Sequence, residues 1–263
     1  MNDVYLVKPV YKALELLKAL GEAGGEKSLA EMAAITGIPK STAFKYLRTL
    51  RECGYVAHDS RTDRYRIGLV VWRLGQLAGE QWAVQHVAHP FLEQLRERFD
   101  ETANLGILDG TDIVYLDIVE SRRSLRMRAS LGGRHPAYST ALGKAMLAFA
   151  PGDTWRDHVP EQLTPRTSRT LTSIDELHEE LQIIGRRGYA LDRGENEDGA
   201  CCIATPILGA KGKVVGAISV SAPAIRVTRP VQQEIVQTLL AVGADASERM
   251  GHVAPTPVAA GSE

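Results

Sequence analysis

Apolar positions in the first fifty residues recur with a helical period. In PVYKALELLKAL, Val10, Ala13, Leu14, Leu17 and Leu20 fall on one stripe, and Gly21, Gly24 and Gly25 end the helix. Ser28 to Glu31 reads S-x-x-E, a capping box in which each side chain bonds an otherwise orphaned backbone donor, so a second helix starts there with Leu29, Met32 and Ala33 inward. Gly37-Ile38-Pro39 predicts a sharp turn. Gly37 supplies the left-handed backbone, Ile38 plugs the angle and Pro39 suits the start of a third helix. In KSTAFKYLRTL, Ala43, Leu47 and Leu50 share one stripe, which leaves Lys40, Ser41, Thr42, Lys45 and Arg48 on the other side with Phe44 at its flank. After Gly54, YVAHD and RYRIG flank the polar turn SRTD, a hairpin with Arg61 and Arg64 at its tip.

The pattern continues differently downstream. From Leu69 to Phe99 two helices are predicted, with Pro90 stopping one or kinking the pair. Val70, Leu74 and Leu77 form a stripe there, and Trp72 and Trp82 are expected to pack on a second domain or a partner subunit. Beyond Asp100 the period shortens to two. TANLGILDGTDIVYLDIVE gives two strands about Asp109-Gly110, and LRMRAS adds a third on which Leu125, Met127 and Ala129 share a face. Ser173 to Glu176 caps a helix of Leu177, Leu181 and Ile184 that Gly185 and Gly188 close. CCIATPIL and VVGAISVSA form a second hairpin, and VQQEIVQTLLAVGADASERM the last helix. APTPVAAGSE reads as a mobile tail.

Charge changes this picture in one place. The chain has 263 residues, 44% apolar, 24% charged, with net charge -1, the composition of an ordinary globular protein long enough for two cores. Between Thr36 and Val70, however, seven basic residues (Lys40, Lys45, Arg48, Arg51, Arg61, Arg64, Arg66) face three acidic ones (Glu52, Asp59, Asp63). A local excess of four on the third helix and the hairpin is a footprint for a polyanion. Short hydroxylic and basic side chains on an exposed helix reach base edges and phosphates in a major groove, so this unit reads as a winged helix-turn-helix for double-stranded DNA. No apolar run approaches the ~20 residues that span a bilayer, and MNDVYLVKPV lacks a secretory pattern, so a cytoplasmic protein with no membrane partner is expected. Cys53, Cys201 and Cys202 form no even framework and are expected as thiols.

GGRHPAYSTALGKAM, residues 132–146, has the composition of a phosphate or nucleophile loop, yet each enzymatic spacing fails. A Walker loop needs Gly where Tyr138 stands and a hydroxyl where Ala145 stands. A Ser-x-x-Lys pair needs Ser in place of Ala141. No G-x-S-x-G elbow occurs, and His135, His158 and His178 show no ligand spacing with each other or with Cys201 and Cys202, so no metal or other cofactor is expected. What remains is a helix whose N-cap is Ser139 or Thr140, with the amides of Ala141 and Leu142 at its positive end, a seat for a carboxylate that needs no catalytic base.

LAEMAAITGIPKSTAFKYLRTLRECGYV, the hairpin and RIGL resemble the DNA-binding half of IclR-type bacterial transcriptional regulators, and the resemblance continues almost to the C-terminus. It implies an α+β two-domain chain: a winged helix-turn-helix over 1–68, a linker helix over 69–84, a GAF-like effector domain over 85–252 built as a mixed antiparallel sheet with helices, and the tail 253–263. It also implies an effector pocket with Ala141 and Leu142 on one wall and Asp192, Ala200, Cys202, Ser219 and Ser221 on the others. Alternation puts Ser219 and Ser221 on one strand face and adds Met127, while Arg126 and Arg128 are expected to point away. The expected function is regulation of transcription by a homodimer or homotetramer on a near-palindromic operator, switched by an organic or aromatic acid. Two other readings stay open: a cysteine redox enzyme using Cys201 and Cys202 beside Asp192, and a DNA-binding protein that ignores effectors.

Overall fold

The structure, a computed structural model, describes residues 6–80 and 83–253, except for the side chains of 76–80. Leu77, Trp82 and the tail from residue 254 onward therefore lie outside the described side chains and residues. The chain divides into two compact units at residues 81/82.

In the first unit, α1 (Lys8–Glu22), α2 (Leu29–Thr36) and α3 (Lys40–Glu52) enclose a core of Leu16, Leu20, Met32, Ala43 and Leu47. The capping box forms as predicted: the Ser28 amide donates to Glu31 Oε2 at 2.8 Å and the Glu31 amide to Ser28 Oγ at 3.3 Å. Gly37 takes φ 67° between α2 and α3, a conformation that a side chain would strain, and Ile38 is buried under the turn. β2 (Val56–Asp59) and β3 (Arg64–Ile67) make the hairpin, and a two-residue strand β1 (Lys27–Ser28), which no period in the sequence announces, completes a sheet of order β1-β3-β2. α4 (Leu69–Glu80) follows, with Leu69, Trp72 and Leu74 exposed.

The second unit opens with α5 (Ala83–Phe99), which runs through Pro90 rather than stopping there. Its sheet has six strands in the order β6-β5-β4-β9-β8-β7, every pairing antiparallel: β4 (Thr102–Asp109), β5 (Asp112–Val119), β6 (Arg134–Pro136), β7 (Ala190–Asp192), β8 (Ala200–Leu208) and β9 (Val214–Pro223). α5 and α8 (Arg229–Arg249) cover one face through Leu92, Leu95, Ile218, Val220 and Leu239. α6 (Ala141–Ala148) and α7 (Ile174–Arg187) cover the other through Leu142, Met146, Leu177, Leu181 and Ala204. Gly185 lies inside α7, and Gly188 alone closes it, at φ 81°.

One predicted strand is absent. Residues 126–130 of LRMRAS have no regular structure. Alternation alone cannot make a strand without a free edge to pair with, and the edge of β5 is taken by the next segment: Tyr115 exchanges bonds with Gly132 (2.8 Å) and Gly133 (3.1 Å), and β6 continues the pairing. LRMRAS is instead held as a loop, with Thr102 Oγ1 donating to the Met127 carbonyl at 2.8 Å.

Candidate functional site

On α3 the buried stripe of Ala43, Leu47 and Leu50 fixes which side faces solvent. Lys40, Ser41, Phe44, Lys45 and Arg48 are exposed there and Thr42 is half-buried. The ion pairs sort the local cations. Arg51 is bonded to Glu52 at 2.9 Å, Arg61 lies 3.9 Å from Asp59, and Arg66 lies 3.7 Å from Glu26. Arg64 does not project from the hairpin tip as expected; it stands at the start of β3, donates to the Glu26 carbonyl at 2.8 Å and lies 3.5 Å from Glu31. Lys40, Lys45 and Arg48 have no ion-pair partner among the described residues, so the uncompensated charge collects on α3, with only Arg61 exposed at the hairpin turn. The acidic residues that compensate Arg64 and Arg66, Glu31 and Glu26, lie upstream of the Thr36–Val70 stretch.

The second site is a cavity on the α6 face of the six-stranded sheet, and its floor is written in the strand register. Asp192 pairs with Cys202, Cys202 with Ser221, and Ser221 with Thr102, one row across β7, β8, β9 and β4. In the next row Ser219 pairs with Asn104. Ala141 and Leu142 form the wall at the start of α6, Met127 and Ala129 come from the loop, and Ala200 leads into β8. All eight expected pocket residues, Met127, Ala141, Leu142, Asp192, Ala200, Cys202, Ser219 and Ser221, line this one cavity of about 40 Å³.

Sequence reasoning missed several polar neighbours, Thr102, Asn196 and Glu197 among them. Asn104, Tyr115 and His135 face the cavity from β4, β5 and β6; so does Arg128, which was expected to point away but is freed from strand alternation because its segment is a loop. Arg126 turns elsewhere, to Glu120 at 2.8 Å. Asn104 was findable, being a polar residue at an inward position of TANLGIL opposite Ser219.

α6 is brought down onto its approach segment by Gly143, where a Cβ would stand 2.1 Å from the Ala137 carbonyl oxygen. Thr140 is the N-cap, accepting from the Gly143 amide at 3.1 Å. The amides of Ala141 and Leu142 have no hydrogen-bond partner among the described residues. Lys144 answers for the Gly-Lys pair: it is 1% exposed, away from the cavity, with Nζ 2.6 Å from Glu195 Oε1. Glu195 belongs to the strap 193–197, whose Asn196 and Glu197 line the cavity. Its carbonyl accepts from Thr170 Oγ1 at 2.6 Å, and its amide donates to Asp192 Oδ1 at 2.6 Å.

Burial, reinforced by Asp192, pushes the Cys202 thiol up, and burial raises Cys201 as well, so neither thiol is primed as a nucleophile and the redox reading gains no support here. Burial likewise raises the Tyr115 phenol and lowers His135. Asp192, 2% exposed, is pushed up to about 6, chiefly by burial and against the backbone amide of Glu195. No cluster of His, Cys, Asp and Glu is arranged to hold a metal ion, and no helix is long and apolar enough to cross a membrane, among the described residues.

Known proteins match both units. Residues 9–60 match the IclR helix-turn-helix domain, and residues 77–248 match the family described as bacterial transcriptional regulator IclR C-terminal. The chain is 33% identical over 247 residues to the HTH-type transcriptional regulator KdgR of Escherichia coli strain K12, covering 94% of each. The crystal structure of the Thermotoga maritima IclR is similar with a TM-score of 0.80 at 32% identity, covering 94% of this chain and 100% of that one. An IclR homolog from Microbacterium hydrocarbonoxydans, crystallised with 4-hydroxybenzoate, shares the fold with a TM-score of 0.78 at 21% identity, covering 92% of this chain and 99% of that one. These relatives are regulators, not enzymes, and the chain belongs to the IclR family of DNA-binding bacterial transcriptional regulators.

Proposed function

We propose that α3 reads a near-palindromic operator as part of a homodimer or homotetramer, and that the cavity of the second unit holds a small organic acid that controls this binding. One recognition helix contacts few base pairs, and two held about one DNA turn apart multiply affinity. The apolar face of α4, with Leu69, Trp72 and Leu74 exposed, supplies surface for a partner subunit. Lys40, Lys45 and Arg48 contact phosphates or bases, Ser41, Thr42 and Phe44 contact base edges or sugars, and Arg61 approaches the backbone from the wing; Arg64 supports the wing rather than reading DNA.

The effector reading is carried by the two partnerless amides of Ala141 and Leu142 at the positive end of a capped helix, in a cavity that contains Arg128, without an ion-pair partner among the described residues, and no activated nucleophile. That a fold relative was crystallised with 4-hydroxybenzoate supports an acid as ligand. An acid with different affinity for the DNA-competent and incompetent arrangements shifts their populations, which is all that regulation requires. Operator binding of Lys45→Ala/Arg48→Ala, measured against salt, tests the DNA half. The slope of log Kobs against log salt should flatten by about 0.9 for each phosphate that is no longer neutralised, and an unchanged isotherm refutes the assignment.

A further inference from the structure

A second cavity, of about 400 Å³, shares no lining residue with the first, yet both border the strap 193–197. Its charged lining is Lys144, Arg169, Arg187 and Arg193 against Glu180 and Glu195, an excess of two positive charges. Both carboxylates are taken. Lys144 Nζ lies 2.6 Å from Glu195 Oε1, and Arg187 donates to Glu180 at 2.9 Å and to the Tyr189 carbonyl at 2.6 Å. Arg169 and Arg193 have no ion-pair partner among the described residues; Arg169 donates to the Arg193 carbonyl at 3.0 Å, and the Arg193 side chain makes no hydrogen bond there. Lys144, 1% exposed, offers three donors and finds only the Glu195 carboxylate as acceptor among the described residues. Cations gathered around one recess repel each other until an anion enters it.

Two free guanidiniums beside a buried ammonium match a phosphoryl group, with its charge of ~−1.5 to −2 and three acceptor oxygens, better than a singly charged carboxylate. A volume of about 400 Å³ falls within the ~300–1,000 Å³ of small-molecule sites, and Leu171 and Leu191 add apolar lining for a carbon skeleton. We infer that this cavity is a second ligand site, separate from the organic-acid site, that takes a phosphoryl anion through Arg169 and Arg193. Free phosphate and the phosphate monoester of a small metabolite share this chemistry. The strap carries the consequence. Arg169, Thr167, Thr170 and Arg166 donate in turn to the carbonyls of residues 193, 194, 195 and 196, at 3.0, 2.6, 2.6 and 3.3 Å. An anion that draws Arg169 and Arg193 together tightens this seam, and the strap continues into Asn196 and Glu197, which line the first cavity.

The test is calorimetry of the full-length protein at fixed ionic strength with inorganic phosphate and with glycerol 3-phosphate. At least one should bind with a Kd of about 1 mM or tighter; tighter binding of glycerol 3-phosphate assigns the site to a monoester, and equal or weaker binding assigns it to free phosphate. Arg193→Gln, which removes no hydrogen bond or ion pair among the described residues, should weaken the bound probe at least tenfold, and Arg169→Gln/Arg193→Gln should abolish its heat. Hydrogen exchange at the amides of residues 194–197 should slow when the probe saturates the protein. Failure of both probes to bind overturns the inference. So does an affinity that Arg193→Gln leaves unchanged, because the anion then sits elsewhere, on α3 or in the first cavity. Exchange at the strap unaltered by a saturating probe overturns it as well, and this readout needs no variant.

Discussion

Replacing Lys144 by Met would remove the cation from a buried pair while keeping most of the side-chain volume. Lys144 is 1% exposed and the Glu195 side chain 12%, with Nζ 2.6 Å from Oε1. Burial already raises Glu195 above the ordinary carboxylate range in spite of Lys144. Losing one member of such a pair costs about 3–5 kcal/mol, and because the strap retains some access to solvent we place the loss near the lower end, about 3 kcal/mol at pH 7.5. For a unit of this size each kcal/mol shifts the midpoint by about 2–4 °C, so Tm of the second unit should fall by about 6–12 °C. The sign of the pH dependence follows from Glu195. Its folded pKa, raised further in the variant, contributes stability present below its unfolded value and lost as pH climbs through the folded one, so the gap from wild type should widen between pH 5 and pH 8. Lys144→Met/Glu195→Leu should recover most of the loss, since a hydrophobic replacement of both partners leaves no orphaned charge. Scanning calorimetry of the three proteins at several pH values measures this. A double variant as unstable as the single one, or a gap independent of pH, refutes the claim that an unpaired Glu195 carries the cost.

Asp192→Asn keeps an acceptor for the Glu195 amide but removes the buried charge. With Asp192 raised to about 6 against an ordinary 3.8, the wild type loses about 3 kcal/mol as pH rises between those values. The variant should therefore melt higher than wild type at pH 7.5 and level with it near pH 4, and identical melting at both would refute the burial argument. Gly143→Ala places a methyl 2.1 Å from the Ala137 carbonyl oxygen, a clash with backbone on both sides. It should destabilise the second unit by about 4 kcal/mol or more, and urea unfolding within 1 kcal/mol of wild type would show that α6 has room to move.

Most of the first unit was readable because its signals are local, but the α1 stripe was not: Val10 and Leu14 are exposed and Leu16, which the stripe omits, is buried. The Ser28–Glu31 box, the Gly37 turn and the Ala43-Leu47-Leu50 stripe each act within a few residues and leave a fixed spacing. The pocket residues on β8 and β9 were legible through the family resemblance, to which alternation added only that Ser219 and Ser221 share a strand face. Misreadings came where distant partners decide. Arg64 looked free until Glu26 and Glu31, more than thirty residues earlier, were brought beside it. LRMRAS alternates like a strand, but Gly132 and Gly133 reach the β5 edge first, which also turned Arg128 towards the cavity. Lys144 looked like chemistry because its partner Glu195 lies 51 residues away.

Both margins of the six-stranded sheet are strands of only three residues, β6 and β7, and β6 ends in Pro136, which has no amide hydrogen to offer. A neighbouring copy seeking to extend the sheet would gain too few bonds to hold on. Fibril growth by lateral strand pairing is thus discouraged at both rims of this sheet.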